Sequence, residues 1–363
     1  MSVRNLHSDN RSKKVALDLK GVPLRPTNLL PAFLSPSGMH DWRISLLVAL
    51  VVAASPLRGF AENPDLAAAR TEVHFAFSKS MFVGVNENDA KVAVKVYAQA
   101  IGDQNGIYVD SEPVLLEGTN AIAKALALKQ ADLFALTAEE FFALENQGLE
   151  GPVMLSRIKQ TFTEDYLLLA REDNMLRKVE DLKGRSLIIS SDARASLAFI
   201  WLEVLCRGHG LGPAAQVTTK VTSASKTTQV VLPVFFGKAD ACLVTRNGWE
   251  VMCELNPQLK KQLRIVAVSP RVVPSLTCFR HGYTETVKQQ IIKAVDFASA
   301  KPGYKQLMAL FKTDHLGNAP LAALESTRQL ITTYHQLCAG TNDAKASALE
   351  PGISTNATEG KEK

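Results

Sequence analysis

Two hydroxyl-rich segments of the chain have the composition of an anion-binding loop. One follows Phe77 and reads Ser78-Lys79-Ser80, and the other follows Ile189 and extends over 190–196. At the carboxyl end of a strand, the free N–H groups and positive dipole end of a following helix favour an anion. N-capping explains any single Ser or Thr there, and is the favoured explanation for one residue alone. If two such segments face each other, ligand binding becomes as good an explanation as N-capping. One residue can also serve both purposes.

Two cations could strengthen such a site. Arg194 lies inside the second segment, and its guanidinium could form paired hydrogen bonds with a phosphonate, carboxylate or sulfonate. Lys226 lies in the stretch SASKTT at 223–228, at the start of a predicted helix. A lysine in the first turn opposes the helix dipole, so a bound anion would explain it. A solvated surface lysine is the alternative, and the two explanations are about even.

No catalytic or metal site is predicted. The sequence contains no G-x-S-x-G, H-E-x-x-H, G-x-x-x-x-G-K-[ST] or C-x-x-C motif. The glycine-rich stretch 208–212 follows a helix instead of joining a strand to one, so it is interpreted as a helix end and turn. We therefore expect no enzyme, no cofactor and no metal centre.

The cysteines bear on the redox state of the protein. None has zinc-ligand spacing, and their odd number leaves at least one thiol free. One pair could be oxidised in an exported protein, but most lie within apolar runs, which favours small buried hydrophobic residues. The five are Cys206, Cys242, Cys253, Cys278 and Cys338.

Short strand-like runs alternate with helical stretches after residue 70. The predicted strands are 73–77, 133–136, 187–189, 241–244 and 265–268, and apolar residues at helical spacing mark 89–101 and 287–298. This alternation predicts an α/β protein with mostly parallel sheets flanked by helices. The hydroxyl-rich segments then lie at carboxyl ends of strands, where such sheets bind ligands.

A short internal repeat links the two halves of the chain. The stretch ADLFALT at 131–137 matches ADACLVT at 239–245, and each reaches Thr five residues after its Asp. Each copy follows a helical segment, at 119–129 and 226–236. Chance could produce so short a match, but its position in each half indicates two lobes of similar topology.

The basic excess of the chain is confined to its beginning. The 363 residues include 41 Lys or Arg and 36 Asp or Glu, a net charge of +5. Residues 1–61 hold eight of the basic and three of the acidic residues, which leaves 33 of each sign elsewhere. Because no basic stripe remains to contact phosphates, we expect no nucleic-acid partner.

The same segment has the pattern of a signal peptide. The run 44–55 is uncharged and shorter than the ~20 residues that span a bilayer, and Gly59-Phe60-Ala61 fits a cleavage site. This predicts an upstream segment over 1–38, a signal peptide over 39–61 with cleavage near Ala61, and a periplasmic location. An uncleaved anchor is the alternative.

Five stretches carry a resemblance to a known family. They are DLKGR at 181–185, the strand and polar loop at 190–196, VLPVFFGKADA at 231–241, LNPQL at 255–259 and VSP at 268–270. They resemble periplasmic solute-binding proteins of the phosphate/phosphite/phosphonate type, which serve ABC transporters. The similarity extends over about 73–316 and is more specific in the second half. It implies the two-lobed type II periplasmic-binding fold, with a ligand trapped in the interlobe cleft by hinge closure.

This sequence departs from the family pattern in the second lobe. Phosphonate binders of this type usually begin a helix here with a Ser-Thr-Ser-Gly-like sequence, whereas this chain has Asp192-Ala193-Arg194-Ala195-Ser196. A family His near the later helix is replaced by Ser225 or Lys226. The anion site is therefore altered, and the expected ligand is a small anionic or zwitterionic molecule of the phosphonate/phosphate-like class.

The resemblance also implies an organisation and a function. We expect lobe 1 over 62–165 plus 271–338, lobe 2 over 166–270, a two-strand hinge crossing at 162–171 and 273–280, and a disordered tail over 339–363. The leading hypothesis is an exported, monomeric, non-enzymatic protein that delivers its ligand to an inner-membrane ABC permease. A periplasmic sensing module for a membrane-bound signalling protein is the alternative, and an enzyme on this fold is the third. The expected ligand-binding residues are Ser78, Ser80, Thr119 and Thr137 in lobe 1, and Ser190, Ser191, Arg194, Ser196, Lys226 and Thr245 in lobe 2.

Overall fold

A computed structural model of the chain describes residues 71–83, 86–105, 107–109, 112–299, 304, 308 and 313–339. The predicted leader over 1–61, its cleavage site at Ala61, and the predicted tail beyond Ala339 lie outside these residues. Within the described ranges, no helix combines the length and apolar character needed to cross a membrane.

Strands and helices alternate along the described chain as the sequence predicts, although 73–77 divides between two strands. The strands are β1 (Thr71–Val73), β2 (Phe75–Ser78), β3 (Ile107–Val109), β4 (Val114–Leu116), β5 (Leu133–Thr137), β6 (Leu149–Arg157), β7 (Tyr166–Arg171), β8 (Ser186–Ser190), β9 (Lys220–Ala224), β10 (Ala241–Thr245), β11 (Leu263–Val268), β12 (Ser275–Arg280) and β13 (His315–Ala319).

Most helices lie between successive strands. They are α1 (Glu87–Asn105), α2 (Gly118–Ala127), α3 (Ala138–Leu144), α4 (Ala198–Gly208), α5 (Ala214–Val217), α6 (Thr227–Phe235), α7 (Arg246–Leu255), α8 (Gln258–Gln262), α9 (Glu285–Ser299) and α10 (Glu325–Ala339). Short 3-10 helices occupy Lys79–Phe82, Glu145–Gln147, Val179–Leu182, Ala193–Ala195 and Leu321–Leu324.

Two main sheets define two lobes. The sheet of lobe 1 has six strands in the order β13-β6-β12-β5-β2-β4, and that of lobe 2 has five in the order β11-β7-β10-β8-β9. The two-lobed α/β class expected from the sequence is therefore confirmed. A further parallel pair joins β1 and β3.

Both sheets are mixed, but most strands of each run in one direction, in keeping with the expectation of mostly parallel sheets. β2 pairs in parallel with β4 and β5, and β8 pairs in parallel with β9 and β10. The pairings of β6, β7, β11, β12 and β13 are antiparallel. The chain leaves the first sheet through β6 and returns through its neighbour β12, so these two strands run in opposite directions.

Each sheet is buried on both faces, as β7 illustrates. Leu168 and Ala170 pack into the cluster that contains α4, whereas Leu167 and Leu169 pack into the cluster that contains α6 and α7. Alternate side chains point to opposite faces of a strand, so burial on both faces requires an uninterrupted apolar sequence. Buried hydrophobic surface thus fixes the strand and its two flanking helix layers together.

Two segments connect the sheets, at 158–165 and 269–274. They lie just before β7 and β12, so the crossings expected at 162–171 and 273–280 include strands that belong to the sheets themselves. The segments pair with each other, because Glu164 N donates to Val272 O across 2.7 Å and Val272 N donates to Glu164 O across 2.8 Å. This antiparallel bridge is the two-strand hinge.

The last helix, α10, contacts both lobes. Leu330 and Ile331 belong to the core cluster of lobe 2, beside α4. Arg328 forms a two-pronged ion pair with Glu145, at the end of α3 in lobe 1, with N–O distances of 2.5 and 2.8 Å. The buried Thr327 Oγ1 accepts a hydrogen bond from Val273 N of the hinge across 2.7 Å. The sequence assigned this helix to lobe 1, whereas it packs across the hinge.

Candidate functional site: a pair of hydroxyl clusters at the interlobe cleft

The internal repeat corresponds to equivalent strands of the two sheets. Asp132, just before β5, accepts a hydrogen bond on Oδ2 from His74 N across 3.0 Å. Asp240, just before β10, accepts one on Oδ2 from Ser186 N across 2.8 Å. Each Asp therefore ties the amino end of its strand to the start of the parallel neighbour. The repeated Asp is explained by this strand pairing, at the end of the sheet away from the cleft.

The repeated threonine begins a helix in each lobe. Thr137 Oγ1 accepts from Glu140 N across 3.3 Å at the start of α3, and Thr245 Oγ1 accepts from Gly248 N across 3.1 Å at the start of α7. Both are N-caps of the ordinary kind. The third residue after the cap differs between the lobes, because lobe 1 has Glu140 where lobe 2 has Gly248.

Strand register extends the equivalence to the hydroxyl-rich loops. Phe75 pairs with Leu133 and Leu187 pairs with Ala241, so Ser78 and Ser190 occupy the same position at the ends of β2 and β8. Both are buried. Ser78 Oγ accepts from Ser80 N across 3.1 Å, and Ser190 Oγ accepts from Asp192 N across 3.5 Å. The two loops therefore have the same local geometry.

In lobe 1, three predicted ligand-binding residues bind an internal carboxylate. Glu140 Oε1 accepts from Ser78 Oγ across 2.6 Å and from Ser80 Oγ across 3.1 Å. Its Oε2 accepts from Thr137 N across 2.9 Å and from Thr137 Oγ1 across 3.0 Å. The sequence placed Glu140 in a helix first turn but missed its contacts. The T-x-x-E spacing of 137–140 was the available signal, since it is the sequence pattern of a capping box.

In lobe 2, the corresponding place is lined by hydroxyls around a glycine. A Cβ built on Gly248 would lie 2.9 Å from Thr245 Oγ1 and 3.1 Å from Thr227 Oγ1. The two hydroxyls therefore converge above Gly248, at the amino terminus of α7. Thr227 is a residue that the sequence did not select, although it directly follows Lys226 at the start of α6.

The predicted cation Arg194 is buried and already has an anionic partner. Its Nε donates to Glu164 Oε2 across 2.9 Å, and Glu164 Oε1 accepts a long bond of 3.4 Å from Asn247 N in the first turn of α7. Burial raises the pKa of the Glu164 carboxyl above its usual range, although the charge of Arg194 acts in the opposite direction. Arg194 Nη2 is buried without a hydrogen-bond partner among the described residues.

The carbonyl of Pro274, in the hinge, joins the two lobes near the site. It accepts from Ala138 N, the first residue of α3, across 2.9 Å and from Ser196 Oγ of lobe 2 across 3.0 Å. The hydroxyl of Ser196 is therefore used by the hinge. Cα atoms of the 3-10 helices Lys79–Phe82 and Ala193–Ala195 approach within 8 Å, so the two loops face each other across the cleft.

The remaining predicted residues lie at the edge of the site. Ser191 N donates to Ala224 O across 3.0 Å, which joins the loop to the end of β9. Lys226 is exposed and is the residue before α6, in an extended conformation. Thr119 is exposed in the first turn of α2. Strand register makes Thr119 the counterpart of Thr227, because β4 and β9 both pair with the strands that end at Ser78 and Ser190.

The cysteines and the metal-binding residue types show no assembled centre in the described ranges. None of the five cysteines forms a disulfide bond within the described ranges, and burial raises the pKa of Cys206 to about 11 and raises that of Cys242 and Cys278 further. No group of three or more His, Cys, Asp or Glu side chains among the described residues could hold a metal ion.

Two mixed sheets joined by a two-strand hinge, with helix amino termini meeting at the cleft, define a type II periplasmic substrate-binding fold. The chain belongs to the family of ABC transporter, phosphonate, periplasmic substrate-binding proteins, whose sequence profile matches residues 86–321. A search of curated protein sequences finds no match.

Solved structures support the same fold. XAC2383 from Xanthomonas citri bound to ATP superposes with a TM-score of 0.55 at 14% identity, covering 74% of this chain and 98% of its own. A binding protein component of an ABC phosphonate transporter, PA3383 from Pseudomonas aeruginosa, gives 0.52 at 14% identity, covering 78% and 96%. PhnD1 from Prochlorococcus marinus in complex with methylphosphonate gives 0.51 at 12% identity, covering 74% and 100%.

Proposed function

We propose that this chain captures a small molecule with an anionic group in its interlobe cleft and presents it to an ABC permease, without catalysing a reaction. The observation that carries this proposal is the pair of equivalent hydroxyl clusters around Ser78 and Ser190, each at a helix amino terminus and facing the other across the hinge. Hydroxyl and N–H donors of this kind bind oxyanions. Phosphonates are the first ligands to test, because of the family.

Lobe 2 is the better-supported half of the site. Thr227 and Thr245 place two hydroxyls at the start of α7, and strand register puts Ser190 at the end of the neighbouring strand β8. Arg194 is a buried cation whose partner Glu164 also contacts the first turn of α7. Ser191 and Lys226 lie at the edge, where Lys226 would attract an anion through solvent. In lobe 1, Thr119 is exposed and the other three predicted residues contact Glu140, so their part in binding is indirect.

The organisation of the chain is part of the proposal. The segment 1–61 directs export and is removed after Ala61, lobe 1 comprises 62–165 with 271–338, lobe 2 comprises 166–270, and the mature protein acts as a monomer. Edman sequencing of the protein recovered from a periplasmic extract tests the cleavage site. Glu62 as the first residue is the expected result, and an intact amino terminus contradicts cleavage.

A calorimetric titration of the purified chain tests ligand capture. The protein is unfolded, dialysed free of small molecules and refolded, and then titrated with methylphosphonate, methanesulfonate, inorganic phosphate and acetate. Binding of at least one anion, together with a rise in melting temperature, is the expected result, because a ligand stabilises the state that it binds. A Ser190→Ala variant reports whether the anion occupies the cleft, and Ser326→Ala, at a half-buried position in α10, is its matched control.

Failure of every anion to bind or to raise the melting temperature contradicts the proposal. Binding that Ser190→Ala leaves unchanged places the ligand elsewhere on the protein.

A further inference from the structure

We propose that Glu140 is a built-in anion that fills the lobe 1 half of the binding site, so that this chain holds its ligand's anionic group with lobe 2 alone and selects a singly charged anion over a doubly charged one. This inference rests on the proposed function. It assigns Glu140 as the residue that determines the charge of the ligand.

The Glu140 carboxylate receives as many donors as a bound oxyanion would. A carboxylate offers about four acceptor positions, and the four bonds from Ser78, Ser80 and Thr137 occupy them. Glu140 is only 7% exposed, so its carboxylate is fixed in place and not free to swing into solvent. The hydroxyls of lobe 1 are therefore engaged before a ligand arrives.

Lobe 2 lacks the equivalent carboxylate side chain at the same position. Gly248 follows Thr245 as Glu140 follows Thr137, and the hydroxyls of Thr245 and Thr227 lie over it. Arg194 provides an independent indication that a ligand belongs here. This residue is only 8% exposed, and its Nη2 has no hydrogen-bond partner among the described residues. Its Nε donates to Glu164, and Glu164 in turn contacts the first turn of α7.

The charges around the cleft disfavour a second negative charge. Glu140 and Glu164 are both buried, and Arg194 balances only one of them. Asp165 is paired with Arg246, and Lys79 is paired with Glu87 and Glu117, so these groups cancel locally. Hydroxyls and N–H dipoles can bind a monoanion in such a field, whereas a dianion is repelled by Glu140.

The test compares two probes of the same shape and different charge. Methanesulfonate is a monoanion, and methylphosphonate is a dianion above its second pKa, so both are titrated calorimetrically at such a pH. The proteins are the wild type, Glu140→Gly, which copies the residue of lobe 2, and Glu140→Gln, which keeps the side-chain shape. Glu139→Gly is the matched control, because it lowers helix propensity at the neighbouring exposed position.

The wild type and Glu139→Gly are expected to bind methanesulfonate at least about tenfold more tightly than methylphosphonate, since like charges in a binding site cost several kcal/mol. Glu140→Gly and Glu140→Gln are expected to bind methylphosphonate at least about tenfold more tightly than the wild type does, which removes the preference. Thr227→Val is expected to weaken methanesulfonate binding.

Two results overturn this inference while the proposed function stands. One is a wild type that binds the dianion as tightly as the monoanion, and the other is a probe preference that both Glu140 variants retain. If neither the wild type nor the folded Glu140 variants bind either probe, this inference is overturned, and the proposed function fails as well only if inorganic phosphate and acetate also fail to bind. Circular dichroism establishes that each variant is folded before its titration is interpreted.

Discussion

Arg194 Nε lies 2.9 Å from Glu164 Oε2, and this buried ion pair joins the loop 190–196 of lobe 2 to the hinge. Side chains of both residues are at most 10% exposed. Arg194 therefore has a structural role in addition to the ligand-binding role that we propose for it. Its charge cannot be removed without leaving the carboxylate of Glu164 alone in a buried environment.

Replacement of Arg194 alone is expected to lower the free energy of unfolding more than simultaneous replacement of Arg194 and Glu164. Arg194→Met should lower the free energy of unfolding by about 3–5 kcal/mol, because it leaves a buried charge without its partner. The double variant Arg194→Met/Glu164→Leu should recover most of that loss. Urea unfolding of the wild type, the two single variants and the double variant measures both effects. Equal losses of unfolding free energy in Arg194→Met and in the double variant would contradict a stabilising ion pair between Arg194 and Glu164.

The stability of Arg194→Met is expected to depend on pH more strongly than that of the wild type. The pKa of Glu164 is raised on folding, so the folded state binds the proton more tightly than the unfolded state. Stability therefore falls as pH rises from the ordinary carboxyl range through the folded pKa. Arg194→Met removes the cation that opposes this shift and should steepen the fall. Melting temperatures across the acidic and neutral range measure the slope, and a slope unchanged from the wild type argues against the prediction.

Substitution of Gly248 is expected to damage ligand binding more than folding. A Cβ at this position would displace the hydroxyls of Thr245 or Thr227, which lie 2.9 and 3.1 Å from it. Gly248→Ala should weaken binding by about 10- to 100-fold, the equivalent of one lost hydrogen bond to a charged group. Gly208→Ala is the matched control, because a Cβ there would have no heavy atom within 4 Å. Titration with the tightest-binding anion decides, and equal affinities for the two variants would be the contrary outcome.

The repeated aspartates are expected to affect stability without affecting the ligand. Asp240 receives hydrogen bonds from Ser186 N and Ser186 Oγ at 2.8 and 2.7 Å, at the amino end of a five-residue strand. The cleft lies at the other end, about 16 Å away. Asp240→Ala should cost about 1–3 kcal/mol of unfolding free energy and leave anion affinity unchanged. The exposed Glu254→Ala is the control for loss of an acidic side chain.

The role of Asp240 in stability can also be measured from the melting temperature at acidic pH. Burial raises the pKa of Asp240, but the bonds from Ser186 and the charge of Arg185 outweigh it, so the pKa lies below its usual range. A carboxyl with a lowered folded pKa contributes stability above its unfolded pKa and loses it as pH falls. Asp240→Asn should therefore flatten the acid limb of the melting-temperature profile. A limb as steep as that of the wild type would show that other groups control acid unfolding.

Tyr283 is expected to be replaceable by phenylalanine with a gain in stability. Its hydroxyl is buried without a partner among the described residues, and burial together with the charge of Asp132 raises its pKa to about 12. Tyr283→Phe should stabilise the protein by about 1 kcal/mol at neutral pH, since an unsatisfied polar group is removed. Wild-type stability should fall as pH rises from about 10 to about 12, because the unfolded tyrosine ionises first. Alkaline unfolding curves that coincide for the two proteins would contradict the second expectation.

Much of the fold could be predicted because local sequence carries it. The predicted strands 133–136 and 241–244 lie within β5 and β10, and the Ala-Asp and Thr positions of 131–137 and 239–245 predict two equivalent units. The antiparallel strand pairings could not be predicted in the same way. The antiparallel neighbours β6 and β12 are separated by an entire lobe, and pairing over such a distance in sequence leaves no local pattern.

The sequence by itself determined that hydroxyls and helix amino termini would meet at strand ends, since these depend on residue type and on the period of strands and helices. Only the tertiary structure decided which of them remain available to a ligand. Glu140 and Gly248 follow identical threonine caps, yet one fills its cluster with a carboxylate and the other leaves two hydroxyls converging on it. That difference depends on contacts that folding makes between residues about 60 positions apart in the sequence, such as Ser78 and Glu140.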